Sequence, residues 1–96
     1  MEGNDAMRFE VYGKQNCAKC DSTKDKLAHL LGKMGLPAEI VFVDMGTVTG
    51  RAEGAFDDVY DVPTTIVRSA RGEEVARFSD IPPSEAVQDL LAAPPA

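Results

Sequence analysis

The two cysteines of this chain, Cys17 and Cys20, have side chains that can transfer electrons, bind metals or form a covalent bridge. They stand two residues apart in the stretch 16–21, NCAKCD, and the sequence of 96 residues contains no other cysteine. This spacing is compatible with three uses: a dithiol that cycles to a disulfide, a pair of thiolate ligands for a metal, and a structural disulfide. The surrounding residues must decide between them.

A structural or metal-binding use fits the sequence less well than a redox use. A bridge between residues so close in sequence closes a single helical turn, and stabilisation by loop closure grows with loop length. A closed zinc site usually takes four ligands, whereas the chain offers two cysteines and one histidine, His29. We interpret His29 as an exposed helical residue. A metal or iron–sulfur cluster shared between two subunits stays open as an alternative.

The two sulfurs are predicted to have different environments. Cys17 falls at the start of a predicted helix, where backbone amides and the helix dipole favour a thiolate, so the pKa of its thiol is expected below that of free cysteine. Lys14 and Lys19 add positive charge nearby. Cys20 lies one turn inside the helix and is expected to be less accessible. We therefore predict that Cys17 attacks a disulfide and that Cys20 resolves the mixed disulfide.

The first half of the chain predicts a βαβ unit around the cysteines. Residues 8–12 alternate polar and apolar side chains, which is typical of a strand, and this strand ends at Gly13. From Ala18 to Met34 the apolar positions recur at helical spacing, and a glycine and a proline that follow end the helix. The apolar run 39–44 predicts a second strand, buried on both faces and parallel to the first.

The second half predicts a short helix, a hairpin and a last helix. We interpret residues 45–50 as a loop and residues 52–60 as a helix. The side chains that this helix is expected to bury are Ala55, Phe56 and Val59. Pro63 stands at the entrance of a third strand, 64–68, which pairs through the turn 69–72 with a fourth strand, 73–78.

A final helix completes the predicted fold. Ser84 is expected to cap it, and Glu85–Leu91 forms its body. The predicted order is β-α-β-α-β-β-α, an α/β domain with a central mixed sheet of four strands flanked by helices. We expect one domain at residues 7–92, between flexible termini at residues 1–6 and 93–96.

These features resemble the thioredoxin and glutaredoxin superfamily: a strand, a Cys-x-x-Cys at the mouth of the next helix, and a later Val62-Pro63-Thr64 ahead of a hairpin. The resemblance covers about residues 8–91 and implies the thioredoxin-like fold. In that superfamily the proline before the third strand has a cis peptide bond and faces the attacking cysteine, so Pro63 would carry that role. Val62, Pro63 and Thr64 would then bind an extended substrate beside the sulfur.

The stretch YGKQNC that ends at Cys17 resembles the Tyr-Ser-Lys-x-x-Cys pattern of glutaredoxins. That resemblance implies that Lys14 contacts the carboxylate of glutathione and that Tyr12 lies near the substrate. Residues 69–72 depart from the Gly-Gly-x-x-Asp segment that glutaredoxins use for glutathione. Asp80 stands at the wrong distance from the preceding proline to replace that acid. Glutathione is therefore one candidate electron donor beside a reductase.

The charge distribution limits the partners. Ten basic and sixteen acidic residues give a net charge of −6, which argues against general nucleic-acid binding. Residues 14–33 contain five lysines against two acids, whereas residues 39–61 contain six acids against Arg51, so a locally positive surface is predicted around the cysteines. Apolar runs are far shorter than the roughly 20 residues that cross a bilayer. We expect a cytoplasmic monomer with no membrane partner.

The predicted function is that of a thiol–disulfide oxidoreductase. Its partner would be a disulfide-containing client protein or a low-molecular-weight disulfide, with a reductase or glutathione as the electron source. No bound cofactor is expected besides the redox-active disulfide of Cys17 and Cys20. Two alternatives stay open: a binding module that keeps the fold and docks partners along residues 62–64, and a metal or iron–sulfur carrier that uses both thiolates as ligands.

Overall fold

The computed structural model describes residues 6–35 and 37–93. In chain order its elements are β1 (Met7–Gly13), α1 (Ala18–Met34), β2 (Ala38–Asp44), α2 (Val48–Phe56), β3 (Thr64–Arg68), β4 (Glu74–Ser79) and α3 (Ser84–Ala92). This is the predicted order of strands and helices. The predictions of flexible ends at residues 1–5 and 94–96 lie outside the described residues.

The four strands form one mixed sheet in the order β2-β1-β3-β4. β1 and β2 run parallel from the pair Met7 and Ala38 to the pair Gly13 and Asp44. β3 is antiparallel to both β1 and β4. The predicted βαβ unit and the predicted hairpin are therefore confirmed, and the carboxyl end of β1 lies beside the amino end of β3.

β2 is less buried than its apolar sequence predicts. It is an edge strand that pairs with β1 alone, and its residues alternate between half-buried and exposed up to the buried Val43. The prediction that this strand is buried on both faces is wrong, because on the face that carries Glu39, Val41 and Val43 only Val43 belongs to the apolar cluster beneath α2.

Helices α1 and α3 cover one face of the sheet and form the main core with it. The buried members of this core come from β1, α1, β3 and α3: Met7, Phe9, Val11, Leu27, Leu30, Leu31, Val67, Val87 and Leu91. The leucines of α1 recur at the predicted helical spacing. The helix ends at Gly35, whose φ of 65° is the left-handed conformation that glycine adopts without steric cost.

The other face of the sheet is covered in part by α2 and in part by charged side chains. The apolar cluster beneath α2 contains Tyr12, Val43, Met45, Val59 and Ile66. Further along this face, Arg68 Nε donates to Glu10 Oε1 at 2.8 Å, and an Nη atom of Arg68 lies 3.2 Å from Asp57 Oδ1. This half-buried ion-pair network connects β1 and β3 with the turn that follows α2.

α2 begins and ends earlier than the sequence predicts. Thr47 caps it, because its Oγ1 accepts from the N–H of Gly50 at 2.9 Å and donates to the carbonyl of Asp44 at 2.8 Å. The helix therefore includes residues 48–50, which were expected in a loop. It ends at Phe56, and Asp58 follows with a φ of 58°.

The turn after α2 is a Schellman motif. The N–H of Val59 donates to the carbonyl of Gly54 at 2.7 Å, and the N–H of Asp58 donates to that of Ala55 at 3.3 Å. This turn places Val59 back under the helix, where it is buried. Of the three side chains predicted to be buried here, only Val59 is buried, and it lies outside the helix.

The buried side of α2 consists of glycines. Gly50 and Gly54 are its buried residues, whereas Ala55 is exposed and Phe56 is 88% exposed. A Cβ atom at Gly50 would overlap the carbonyl oxygen of Asp44, and one at Gly54 would lie 2.6 Å from Cε of Met45. The prediction that Ala55 and Phe56 are buried is wrong, because α2 approaches the sheet too closely to place a side chain between them.

α3 starts one residue earlier than predicted. Ser84 is its first helical residue, and Pro83 occupies the N-cap position without a side-chain hydrogen bond. The prediction that Ser84 caps the helix is therefore wrong. Proline has a fixed φ and starts the helix from an extended conformation. Within residues 6–35 and 37–93, no helix combines the length and the apolar character needed to cross a bilayer.

The glycines of α1 and α2 give a test of this packing. Alanine favours a helix over glycine by about 1 kcal/mol, so Gly32→Ala, where nothing lies within 4 Å of the new Cβ, should raise the free energy of unfolding. Gly50→Ala should lower it by about 1–3 kcal/mol through overpacking. Urea unfolding of both variants measures the difference. A gain in both would contradict the close approach of α2 to Asp44.

Candidate functional site

The two cysteines lie where β1 passes into α1. A loop of three residues, 14–16, follows β1, and Asn16 reverses the chain with a φ of 59°. Cys17 is then the N-cap of α1, in extended conformation, and Cys20 lies in the first turn. The short loop places both sulfurs at the carboxyl end of β1.

The sulfurs form a disulfide and differ in exposure. The Cα atoms of Cys17 and Cys20 are 5.2 Å apart. Cys17 is half-buried, whereas Cys20 has an exposed fraction of 0%. The N–H of Cys20 donates to Sγ of Cys17 at 3.1 Å. The predicted difference in accessibility is therefore present, and a backbone amide points at the more accessible sulfur.

Gly13 makes room for the buried sulfur. A Cβ atom at this position would lie 2.9 Å from Sγ of Cys20 and 2.9 Å from Cε1 of Phe42. The carbonyl of Gly13 also accepts the N–H of Met45 at 2.7 Å. The last residue of β1 therefore contacts the disulfide and fixes the start of the connection from β2 to α2.

The segment 62–64 lies at the same edge of the sheet as the cysteines. Thr64 pairs with Tyr12 across β3 and β1, so Pro63 lies beside the end of β1. The Val62–Pro63 peptide bond is cis. Pro63 and Thr64 are buried, and Val62 is half-buried against the cluster beneath α2. The hydroxyl of Thr64 donates to the carbonyl of Asp61 at 2.7 Å.

Asp80 connects the cysteine motif to this segment. Its carboxylate lies 3.1 Å from Nζ of Lys19, and its N–H donates to the carbonyl of Pro63 at 2.9 Å. Asp80 has a φ of 65°, and its Oδ1 accepts from the N–H of Ile81 at 2.8 Å. The Ile81 amide, and after it Lys19, hold the pKa of Asp80 below its ordinary value.

Two residues, Lys14 and Tyr12, link the sequence to glutaredoxins, and the structure places one at the surface and the other inside the protein. Lys14 is exposed in the loop before Cys17. Tyr12 is 2% exposed, and its hydroxyl donates to Oδ2 of Asp57 at 2.7 Å. Burial, and after it Asp57, raises the pKa of Tyr12. Because its hydroxyl is engaged inside the protein, little of Tyr12 is left for a substrate contact.

Comparison with solved structures decides which fold this is. A thioredoxin-2 of the malaria parasite matches with a TM-score of 0.77 at 15% identity, over 95% of this chain and 85% of its own. The chain has a thioredoxin-like fold. A mutant thioredoxin from Halobacterium salinarum matches with a TM-score of 0.76 at 20% identity, over 94% of this chain and 74% of its own.

A thioredoxin-like protein from Clostridium perfringens gives a TM-score of 0.80 at 12% identity, over 95% of this chain and 72% of its own. No protein-family model and no curated protein matches the sequence. At these identities the likeness establishes the fold, and the predicted thioredoxin-like architecture is confirmed. The finer resemblance to glutaredoxins stays a prediction.

Two residues of this site were missed from the sequence. Gly13 ends β1 just before the loop that leads to Cys17. A glycine at this place could have indicated that the sulfur of Cys20 packs against the strand. Asp80 was set aside because of its spacing from Pro63. Its contact with Lys19 spans 61 residues, and no pattern along the chain indicates it.

Metal ligands are sparse around the cysteines of this thioredoxin-like domain. His29 is exposed on α1, as predicted. Among residues 6–35 and 37–93, no three or more His, Cys, Asp or Glu side chains are grouped as a metal site would require.

Replacing Gly13 by alanine tests the contact between β1 and the buried sulfur. The new Cβ would press on Cys20 and on the ring of Phe42, so we expect the free energy of unfolding to fall by about 1–3 kcal/mol. Urea unfolding of the oxidised protein measures this change, with Gly32→Ala as the control in which the added methyl group meets no atom within 4 Å. An unchanged free energy of unfolding would contradict the close packing.

The buried phenol of Tyr12 predicts a dependence of stability on alkaline pH. Its folded pKa is raised above the ordinary value of 10.0, so its contribution to stability is complete below about pH 10 and is lost as pH rises towards the folded pKa. We expect the free energy of unfolding to fall more steeply above about pH 10 in wild type than in Tyr12→Phe. Urea unfolding at a series of pH values checks this.

Tyr60→Phe is the matched control for this titration, because the ring of Tyr60 is 76% exposed. It should follow the wild type. Equal slopes for wild type and Tyr12→Phe would contradict the assignment to Tyr12.

Proposed function

We propose that this protein is a thiol–disulfide oxidoreductase in which Cys17 attacks and Cys20 resolves. The observation that carries the proposal is the unequal environment of the two sulfurs. Cys17 is half-buried at the helix terminus, while Cys20 is fully buried one turn inside. A client disulfide can reach the first sulfur, and the second sulfur is close enough to release the client.

The position of Cys17 favours its thiolate. The N–H of Cys20 points at Sγ of Cys17 at 3.1 Å, and the dipole of the 17-residue helix α1 has its positive end there. Lys19 follows within the motif, although its ammonium group is shared with Asp80. The backbone amide and the helix dipole are therefore the main stabilising groups for negative charge on this sulfur.

The reaction proceeds by two displacements at sulfur. The thiolate of Cys17 attacks one sulfur of the client disulfide, forms a mixed disulfide and releases the other client sulfur as a thiolate. The thiol of Cys20 then loses its proton and attacks Sγ of Cys17, which releases the second client thiolate. Two electrons pass to the client, and the Cα separation of 5.2 Å fits the resulting disulfide.

Segment 62–64 is the proposed binding edge for the client. Its place beside the end of β1 supports this role, because Thr64 pairs with Tyr12, which lies two residues before the loop 14–16 begins. An extended chain laid along Val62 would pass Cys17. The carbonyl of Pro63 already accepts the N–H of Asp80, so this end of the edge is held in place before a client arrives.

The electron donor is proposed to be either glutathione or a reductase. Lys14, exposed in the loop before Cys17, is the proposed contact for a carboxylate of glutathione. Asp80 is engaged by Lys19 at 3.1 Å, and a donor that used this acid would have to displace the lysine. Turnover with glutathione compared with turnover with a flavin-dependent reductase distinguishes the two donors.

Serine variants of the two cysteines test the proposed roles. Cys17→Ser should reduce the rate of disulfide reduction to that of the uncatalysed reaction, because no accessible nucleophile remains. Cys20→Ser should attack but fail to resolve, so a mixed disulfide with the substrate should accumulate on Cys17 and appear in the intact mass. Ser22→Ala, an exposed change in the same helix turn, is the control and should react like wild type.

The two cysteine variants also separate this proposal from the alternatives. Equal reduction rates for wild type and Cys17→Ser would exclude the oxidoreductase. Metal or cluster bound by anaerobically purified protein and lost in Cys17→Ser would favour the carrier.

A further inference from the structure

The large apolar side chains of α2 lie on its outward side, and its buried residues are glycines. Gly50 and Gly54 face the sheet, whereas Val48 is 75% exposed and Phe56 is 88% exposed. An ordinary surface helix of a globular protein shows the opposite arrangement, with its large apolar residues buried. α2 is therefore built so that its large apolar groups point away from the protein.

Helix geometry places these apolar groups in one line. Val48, Ala52 and Phe56 are four residues apart and lie along one side of the helix at about 100° per residue, roughly opposite Gly50 and Gly54. Ala52 is exposed as well. We define the apolar stripe as Val48, Ala52, Phe56 and the exposed Tyr60 that follows the turn.

The stripe concentrates the exposed large hydrophobic side chains. Four such side chains occur within residues 6–35 and 37–93, and three of them, Val48, Phe56 and Tyr60, belong to the stripe. Single exposed apolar residues are ordinary, whereas three in one short segment, two of them aromatic, are typical of a protein interaction site. Stability within the domain does not account for it, because these side chains contribute little to the core.

Both ends of the α2 segment border the cysteine site. At its start, the N–H of Met45 donates to the carbonyl of Gly13 at 2.7 Å. At its end, Tyr60 stands three residues before Pro63. The segment that carries the stripe is therefore joined to the site of the cysteines at both of its ends.

The charges around the stripe indicate which partner it fits. Glu53, Asp58 and Asp61 are exposed along it. Two cations lie nearby. Arg51 donates to the carbonyl of Gly46 at 3.4 Å, and Arg77, which is paired with Glu74 at 2.9 Å, donates to the carbonyl of Asp58 at 3.2 Å. A second copy of this chain would bring the same acids together, in a protein whose net charge is already −6. Basic side chains complement this surface, and acidic ones are repelled.

We propose that the apolar stripe is the docking surface for client proteins that present apolar anchors flanked by lysine or arginine. This inference rests on the proposed oxidoreductase function and names its substrate class as protein rather than low-molecular-weight disulfide. The aromatic rings of Phe56 and Tyr60 provide the contact area, and the carboxylates select the partner by charge. The client disulfide then lies between the stripe and the segment 62–64.

Three disulfide substrates test the docking surface. Two are peptides that contain leucine and phenylalanine anchors and one cysteine in a mixed disulfide with a chromogenic aromatic thiol. In one peptide the anchors are flanked by lysines, and in the other they are flanked by glutamates. The third is the symmetric disulfide of that aromatic thiol. Wild type should reduce the lysine peptide with a kcat/KM at least about 10-fold above that for the glutamate peptide.

Phe56→Ser and Tyr60→Ser should each lower kcat/KM for the lysine peptide by at least about 10-fold, as loss of an aromatic anchor does at interfaces. Both variants should keep the wild-type rate with the small disulfide, because neither residue contacts the sulfurs. Val41→Ser removes an exposed apolar side chain from β2 and should leave both rates unchanged. Thermal unfolding should show wild-type Tm for Phe56→Ser, since its side chain is exposed.

Equal effects of Phe56→Ser on the peptide and on the small disulfide, or no effect on either, would overturn the docking surface. So would a wild-type dimer in sedimentation that Phe56→Ser abolishes, because the stripe would then be occupied by a second copy of the chain.

Failure of the oxidoreductase function itself has a separate signature: wild type would reduce none of the three substrates. In that case docking is tested without the redox reaction. Calorimetry measures the binding of a lysine peptide in which serine replaces the cysteine. Binding to wild type that Phe56→Ser weakens by about 10-fold or more would support the surface, and no binding to wild type would refute it.

Discussion

The close contact between α1 and the carboxyl end of β1 is the constraint on which the rest of the structure depends. Gly13 allows the sulfur of Cys20 to lie against the strand, and Cys17 is thereby held at the start of the helix. The carbonyl of Gly13 also binds the N–H of Met45, so the same strand end determines where the chain leaves β2 for α2. A larger residue at this point would displace the sulfur pair and both connections together.

Features encoded by local patterns could be predicted from the sequence. The bounds of α1, Ala18–Met34, follow from the spacing of its leucines and from Gly35, which ends the helix in a left-handed conformation. The hairpin of β3 and β4 follows from a β-branched run and a turn that contains Gly72, with a φ of 87°. The unequal burial of the cysteines follows from their places in the helix, because the N-cap stands at the open end of α1 whereas Cys20 lies inside its first turn.

Features set by contacts between distant segments could not be predicted in the same way. Hydrophobic patterns assume that large apolar residues face inward, so they assigned Phe56 to the core, whereas the distance between α2 and Asp44 leaves room only for glycine. Tyr12 was expected near the substrate because of its place in the motif. Its burial depends on Asp57, which lies 45 residues away and reaches it only when the turn after α2 has formed.

The contacts of Asp80 mean that the two residues between the cysteines are not independent of the rest of the chain. Lys19 pairs with the carboxylate of Asp80. The backbone of Asp80 has a left-handed conformation, and its N–H donates to the carbonyl of Pro63. Replacing the residues between the cysteines by those of another thioredoxin-like protein would remove Lys19 from the turn at Asp80. Replacing that turn would remove the acid that pairs with Lys19. The dipeptide and the turn are therefore in direct contact, although 61 residues separate them in the chain.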